Sequence, residues 1–368
     1  RMKKVYILLF ILFACTLTKH HQRGIQIPQK PSMKIKETPN FNIHLDYHPS
    51  TRWDLPTMHF RTQIKKMQNT VIQNIPPFLK NTFWIIYKII ELKGERKGFN
   101  NERYLEFKGI AKTLDVPIHE VAIFNLAYEL FASCTSIIAH DKNGHILHAR
   151  NMDYALYTAM ADSTYNAHFY VKGKIVFKAN MFAGFTGVFT AIKPQKFAIS
   201  INERHEGTFM GVIVNISRWI FGAMSPSNLL KHVCEVADSY DEAKHMLEKT
   251  SLTAPVYFAI SGIEPDQGEI ISRDRTGPAD IWLINHLSPR DWVIVQTNYD
   301  HWISPSPDSD RNRANTAYRQ LTNIGRKNLD ENNIVSQVLQ IPEVHNRGTI
   351  YTTVMRAKED YIEIYQYI

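Results

Sequence analysis

At 368 residues, 44% hydrophobic and 21% charged, the chain can hold one large or two modest domains, and its composition excludes a disordered or low-complexity polymer. No period of about 20–50 residues marks a solenoid or propeller. The formal charge of +8 lacks the basic stripe with interleaved aromatics that a nucleic-acid surface needs, and three cysteines are too few for a disulfide scaffold.

Arg1, Lys3 and Lys4 precede an apolar run from Val5 to Leu17, and Ala14, Thr16 and Thr18 offer cleavage points. Thirteen residues fall short of the ~20 that span a bilayer, so residues 1–19 read as a secretory signal peptide and the mature chain as luminal, lysosomal or secreted. Removing them takes the formal charge to +4 by deleting Arg1, Lys3, Lys4 and Lys19. The 16 histidines raise that charge again in an acidic lumen, which would draw the protein to an anionic membrane surface.

Helical spacing of three and four runs through 57–74, 77–93, 104–114 and 117–131. From Cys134 the period changes to two. Short β-rich runs occur at 134–140, 145–150, 167–171, 174–179, 188–192, 197–202, 256–261, 269–273, 281–285, 292–297, 349–356 and 361–367. Helices interrupt at 209–222, 228–237, 241–248, 311–324 and 333–339. Strands grouped between helical blocks indicate an α+β fold, read as a helical leader (20–133) and a catalytic domain (134–368).

Asn143-Gly144 and Lys172-Gly173 read as two-residue hairpin turns. The first would place Cys134 opposite Asp153, with Cβ atoms roughly 4.5–5.5 Å apart. Arg150 would then point to the other face unless the strand bulges or ends near Asn151. A thiol beside a carboxylate and a guanidinium suggests a nucleophile; a bracing ion pair between Arg150 and Asp153 is the plainer alternative. Cys234 falls on the apolar stripe of a helix and reads as a small buried hydrophobe.

Ser133-Cys134-Thr135-Ser136-Ile137, followed by Arg150-Asn151-Met152-Asp153, resembles the acid ceramidase and N-acylethanolamine acid amidase family, N-terminal-nucleophile hydrolases related to choloylglycine hydrolases. The likeness continues through Val176-Phe177-Lys178-Ala179, Phe182-Ala183-Gly184-Phe185-Thr186-Gly187, Ile201-Asn202-Glu203-Arg204, Arg273-Asp274-Arg275, Gln296-Thr297-Asn298-Tyr299-Asp300-His301-Trp302, Asp310-Arg311 and Thr349-Ile350-Tyr351-Thr352-Thr353.

The resemblance implies an αββα sandwich and a precursor that cuts itself between Ser133 and Cys134. The freed amine of Cys134 would serve as base for its own thiol. Asp153 would hold that amine, and Arg150 would orient the thiol and favour its ionised form. Asn298 matches an oxyanion-hole asparagine, and Glu203 a glutamate linked to acid-triggered cleavage. Arg311 matches an arginine thirteen residues after that asparagine; Arg313 is the fallback, because Ser309-Asp310-Arg311-Asn312 departs from the family pattern of two acidic residues before two arginines.

The substrate implied is a fatty-acyl amide, ceramide first and N-acylethanolamines second. A lipid-presenting activator protein and an α/β heterodimer cut from one precursor are the partners implied, with no cofactor. A silent lipid-binding protein on the same fold is the alternative of another class.

Three further signals stand apart. His140, His145 and His148 fit no common zinc spacing and read as exposed strand residues. The apolar stretch 209–221 is either a core helix or a membrane-docking one, with Trp84 to Ile90 as a second contributor. Asn215-Ile216-Ser217 within it is the glycosylation sequon.

Overall fold

The computed structural model describes residues 35–74, 99–128, 132–154, 160–204, 209–285, 287–288, 291–303 and 308–367. The signal segment, the 77–93 helix and its Trp84 to Ile90 stretch lie outside the described residues.

Fourteen strands are present among them: β1 (Ile35–Lys36), β2 (Asn40–His44), β3 (Ala132–His140), β4 (Ile146–Tyr154), β5 (Thr164–Val171), β6 (Lys174–Phe182), β7 (Thr190–Lys193), β8 (Phe197–Glu203), β9 (Val256–Ser261), β10 (Gly268–Arg273), β11 (Pro278–Leu283), β12 (Val293–Gln296), β13 (Thr349–Arg356) and β14 (Tyr361–Tyr367). They form a six-stranded sheet in the order β1-β14-β13-β4-β3-β12 and an eight-stranded sheet in the order β11-β10-β9-β8-β7-β6-β5-β2.

Strand alternation assigns the layers. Odd-numbered Ile137, Ala139, Leu147, Ala149, Val293 and Val295 pack under Ala314, Ala317 and Leu321 of the Asp308–Ile324 helix. Even-numbered Ile138, Ile146 and Ile294 face Tyr257, Ala259 and Ile270 of the other sheet. The far face of that sheet, including Phe197, Ile199 and Phe258, packs with Leu229, Val233 and Leu247 from the Pro226–Val236 and Tyr240–Lys249 helices. The result is an αββα sandwich, as the resemblance implied.

The leader is less purely helical than its sequence suggests. β1 pairs with β14 at the edge of one sheet, and β2 runs parallel to β5 at the edge of the other. Its Phe99–Leu114 helix buries Phe107, Ile110 and Leu114 in the core and adds a buried charge cluster. The buried Glu106 carboxylate accepts from Arg52 and from Lys231 of the Pro226–Val236 helix, each at 2.8 Å. The segment before Cys134 is thus built into both sheets and the far helical layer.

Turn chemistry fixes the register that matters most. Lys172-Gly173 is the expected two-residue loop, with both residues at positive φ and Val171 paired with Lys174. Asn143-Gly144 is not. Only Gly144 has positive φ (80°), His140 pairs with Ile146, and Asp141 bonds to His145, leaving the three-residue loop 142–144. The Asp141 carboxylate accepts from the amides of Asn143 (2.8 Å) and His145 (3.0 Å), an Asx turn that favours the longer loop.

The register is therefore one residue from the expected one. Cys134 pairs with Met152, Ser136 with Arg150, and Ser133 with Asp153. A slip of one exchanges the faces. Arg150 shares the face of Cys134, and Asp153 points to the opposite one.

Candidate active site

Cys134 lies on the inter-sheet face, fully buried. Its row across three strands is Cys134, Met152 and Tyr351; the next row is Ser136, Arg150 and Thr353. The diagonal between rows brings Arg150 Nη2 within 2.7 Å of Cys134 Sγ and 3.0 Å of Met152 Sδ. Burial pushes the Cys134 thiol up, and the charge of Asp153 adds to this; Arg150 pulls hardest the other way, followed by Arg313. Neither a bulge nor a strand end is needed to bring Arg150 to the thiol.

The backbone of Cys134 is held from the side of β12. On the register that pairs Gln296 with Ser136, residue 298 falls opposite Cys134, two positions beyond the strand. The Asn298 side chain takes the place of a strand carbonyl there, its Oδ1 accepting from Cys134 N at 2.8 Å. Asn298 Nδ2 donates to Glu203 O at 2.8 Å, so its amide donor faces the end of β8 rather than the thiol. Asn202 braces the same loop by donating to Gln296 O and Thr297 O. Glu203 thus reaches the site through its backbone carbonyl, with its side chain half-buried.

On the outer face, Arg313 is the guanidinium that reaches the site among the described side chains. Its Nη2 donates to Asn298 Oδ1 at 2.9 Å, while Nη1 contacts Cys134 O at 3.2 Å and Asp153 Oδ2 at 3.3 Å. The side chain of Arg311 lies outside the described residues, so the fallback arginine is the one seen at the site. Asp153 also accepts from Thr349 Oγ1 and Asn346 Nδ2, both at 2.6 Å. Burial pushes its carboxyl up, opposed first by Arg313 and then by these two bonds. Ser133 pairs with Asp153 in the backbone ladder directly before Cys134.

Five groups therefore converge on one residue from both faces of a sheet: Arg150 on the sulfur, Asn298 on the nitrogen, Arg313 on the carbonyl, and Asp153 and Met152 beside them. Sequence reasoning did not single out Met152, Asn346 or Thr349. Thr349 lay within a quoted motif, whereas Asn346 is brought in by a loop that no local signal marks.

The remaining signals resolve differently. Cys234 is buried and burial pushes its thiol far up, as befits a core residue. His140 and His148 are fully buried, contrary to the exposed reading, because both have even parity and face the other sheet. His140 Nε2 meets Pro265 O at 2.5 Å, and His148 lies between Ser200 and Ser261. No metal-holding cluster of His, Cys, Asp or Glu occurs among the described residues. The Phe209–Ile220 helix is two-sided: Val214 and the following Phe221 are exposed, while Trp219 packs against the core. Asn215 is half-buried there, its Oδ1 held by Arg275 Nη2 at 2.7 Å.

Residues 134–327 match the family of linear amide C–N hydrolases, choloylglycine hydrolase family. The chain is 36% identical over 325 residues to the N-acylethanolamine-hydrolyzing acid amidase of Rattus norvegicus, covering 87% of this chain and 86% of that protein. It is 32% identical over 389 residues to the acid ceramidase of Homo sapiens, covering 98% and 95%. Among solved structures, a Caenorhabditis elegans N-acylethanolamine-hydrolyzing acid amidase ortholog superposes with a TM-score of 0.56 at 32% identity, covering 61% of this chain and 93% of that one.

Proposed function

The chain belongs to the choloylglycine hydrolase family of linear amide C–N hydrolases, and on that footing we propose that it hydrolyses fatty-acyl lipid amides with Cys134 as nucleophile, after cutting its own chain between Ser133 and Cys134. The observation that carries this reading is that one buried residue is gripped at both reactive ends, its sulfur by Arg150 and its backbone nitrogen by Asn298. A structural cysteine needs neither contact.

In the precursor, Cys134 Sγ adds to the Ser133 carbonyl carbon. The Ser133–Cys134 C–N bond then breaks, the nitrogen takes a proton, and the acyl group passes to sulfur. Water cleaves that thioester, leaving a Ser133 carboxylate and a Cys134 amine. Glu203, protonated at acid pH, assists the cleavage.

The new amine, with an ordinary pKa of about 7.7–8.0, takes the thiol proton as the sulfur attacks a substrate amide carbonyl. Arg150 stabilises the developing thiolate. Asn298 holds the amine through Oδ1; Nδ2, released from Glu203 O, supplies the oxyanion donor. Asp153, Arg313, Asn346 and Thr349 form the support that keeps the amine in line. The leaving amine takes a proton, and water hydrolyses the acyl thioester to a fatty acid.

Ceramide is the first-choice substrate, since the likeness to acid ceramidases extends along almost the entire chain. The higher identity to the ethanolamide amidase supports N-acylethanolamines as the second reading. The lysosomal lumen fits the N-terminal apolar run and the acidic working range in the relatives' names, and two fragments of one precursor would remain together through β1, β2 and the Glu106 ion pairs. A lipid-presenting activator would lift the substrate from an anionic membrane surface. No helix among the described residues is long and apolar enough to cross a membrane.

Incubation at pH 4.5 followed by denaturing electrophoresis should give two fragments, the second beginning at Cys134. A persistent single chain with an unlabelled thiol refutes the reading. Parallel assays on C12-ceramide and palmitoylethanolamide assign the headgroup.

A further inference from the structure

Arg150 is fully buried between the sheets, and only half of its fork faces sulfur. Nη2 donates to Cys134 Sγ and Met152 Sδ; Nη1 donates to Phe189 O at 2.8 Å and Thr190 Oγ1 at 2.9 Å. The Thr190 hydroxyl in turn bonds the phenol of Tyr351 at 2.8 Å. Arg150 and Tyr351 stand on neighbouring strands of the six-stranded sheet, and Thr190 reaches across from the eight-stranded one.

We propose that Thr190 and Tyr351 are positioning residues that aim the Arg150 guanidinium at the Cys134 thiol. The inference rests on Cys134 being the nucleophile.

The physical case is geometric. A planar fork is oriented by what holds its second nitrogen, because fixing two N–H directions at Nη1 fixes those at Nη2. Sulfur is a weak, diffuse acceptor and fixes little by itself. Phe189 O is set by backbone. Thr190 is β-branched, so its hydroxyl has little rotational freedom in a strand, and the Tyr351 phenol settles which way that hydroxyl points. Tyr351 is itself fully buried and packs on Phe182 at a ring separation of 5.7 Å, so its oxygen is a fixed reference. Arg150 therefore has one end tied to rigid oxygen acceptors, and the thiol receives the other end.

This device would matter most as the amine takes the thiol proton, when the guanidinium must follow a sulfur that is gaining charge. Loss of the Thr190 hydroxyl leaves one Nη1 N–H buried without its acceptor, and the fork would turn to recover a partner. The thiol would then lose its nearest cation while keeping its burial.

The test uses the acid-processed protein and three variants: Thr190→Val, Thr190→Ser and Tyr351→Phe. Readouts are the pH dependence of iodoacetamide alkylation at Cys134, kcat and KM on a lipid amide, and the melting temperature. Thr190→Val should lower kcat about 10–100-fold, the usual weight of a hydrogen bond to a charged group, with KM nearly constant. Its alkylation midpoint should rise by about one pH unit. Thr190→Ser should restore both, and Tyr351→Phe, which removes one oxygen atom, should lower kcat about 3–10-fold and raise the midpoint by about 0.5–1 pH unit.

Folded Thr190→Val and Tyr351→Phe proteins with wild-type alkylation profiles and kcat overturn the proposal. If Thr190→Val does not fold, Tyr351→Phe decides it alone. Failure of the underlying reading looks different: the wild-type protein itself would neither hydrolyse amides nor label at Cys134.

Discussion

His148 gives the most direct test of how the two sheets are held together. Its imidazole is fully buried, with Nδ1 3.0 Å from Ser261 Oγ and Nε2 2.8 Å from Ser200 Oγ. Ser200 continues to Ser136, two residues from Cys134. Burial, reinforced by the charge of Arg150, lowers the His148 pKa from 6.5 to about 3. The unfolded chain binds a proton near pH 6.5 that the folded chain refuses until about pH 3, so the neutral imidazole's contribution is complete above 6.5 and is lost as pH falls through that window. At about 1.4 kcal/mol per pH unit, the loss is about 3 kcal/mol by pH 4.5 and about 5 kcal/mol by pH 3.

His148→Gln replaces the ring with a neutral donor and acceptor that cannot titrate. In a Cys134→Ala background, which removes the proposed self-cleavage, urea unfolding should be followed at pH 7.0, 5.5 and 4.5. The variant should be weaker at pH 7 by about 1–3 kcal/mol, the cost of a disturbed buried hydrogen-bond pair. Toward pH 4.5 the gap should close by about 3 kcal/mol, since other titrating groups cancel in the difference. Parallel stability curves across that range refute the reasoning.

Three other outcomes test the packing around the site. Arg313→Ala removes the cation facing the buried Asp153 carboxylate and should cost about 3–5 kcal/mol in urea unfolding, with Arg313→Lys recovering only part of it. Glu106→Gln removes the carboxylate shared by Arg52 and Lys231, which keep Glu102 and Glu235 as partners, and should cost about 1.5–3 kcal/mol, while adding Lys231→Met should recover some of that loss in a double-mutant cycle. Gly144→Ala forces a side chain into the left-handed region and should cost about 1–2 kcal/mol by thermal melting, with Gly144→Asn milder; no change would contradict the three-residue loop.

The lesson about register comes from a single turn. An Asn-Gly pair between two strands reads as a two-residue hairpin, and at Lys172-Gly173 the same logic works. At Asn143-Gly144 it fails because Asp141, two residues before the Asn-Gly pair, captures two backbone amides and lengthens the loop. That one-residue difference exchanged the predicted roles of the two faces: Arg150 joined the thiol and Asp153 moved to the side of the Asp308–Ile324 helix. The signal was present in Asp141 but carried weight only through its side-chain bonds.

Other parts of the site had no local signature. Asn346 and Thr349 meet Asp153 from almost 200 residues away in sequence. The choice between Arg311 and Arg313 depends on how the helix is seated over the sheet, which spacing from Asn298 does not specify. The buried His140 and His148 follow from strand parity once the second sheet is in place; alternation by itself marks two faces without saying that both are covered.

The sequence by itself determined most of the strand and helix pattern and the α+β class, because period is a local property of the chain, and its resemblance to a known family marked Cys134, Arg150, Asp153 and Asn298 as candidate site residues. Only the tertiary structure decided which face each side chain serves, that Arg313 stands on the outer side, and that Thr190 and Tyr351 stand behind Arg150. Those depend on the register of one hairpin and the stacking of two sheets, where residues far apart in sequence meet by packing.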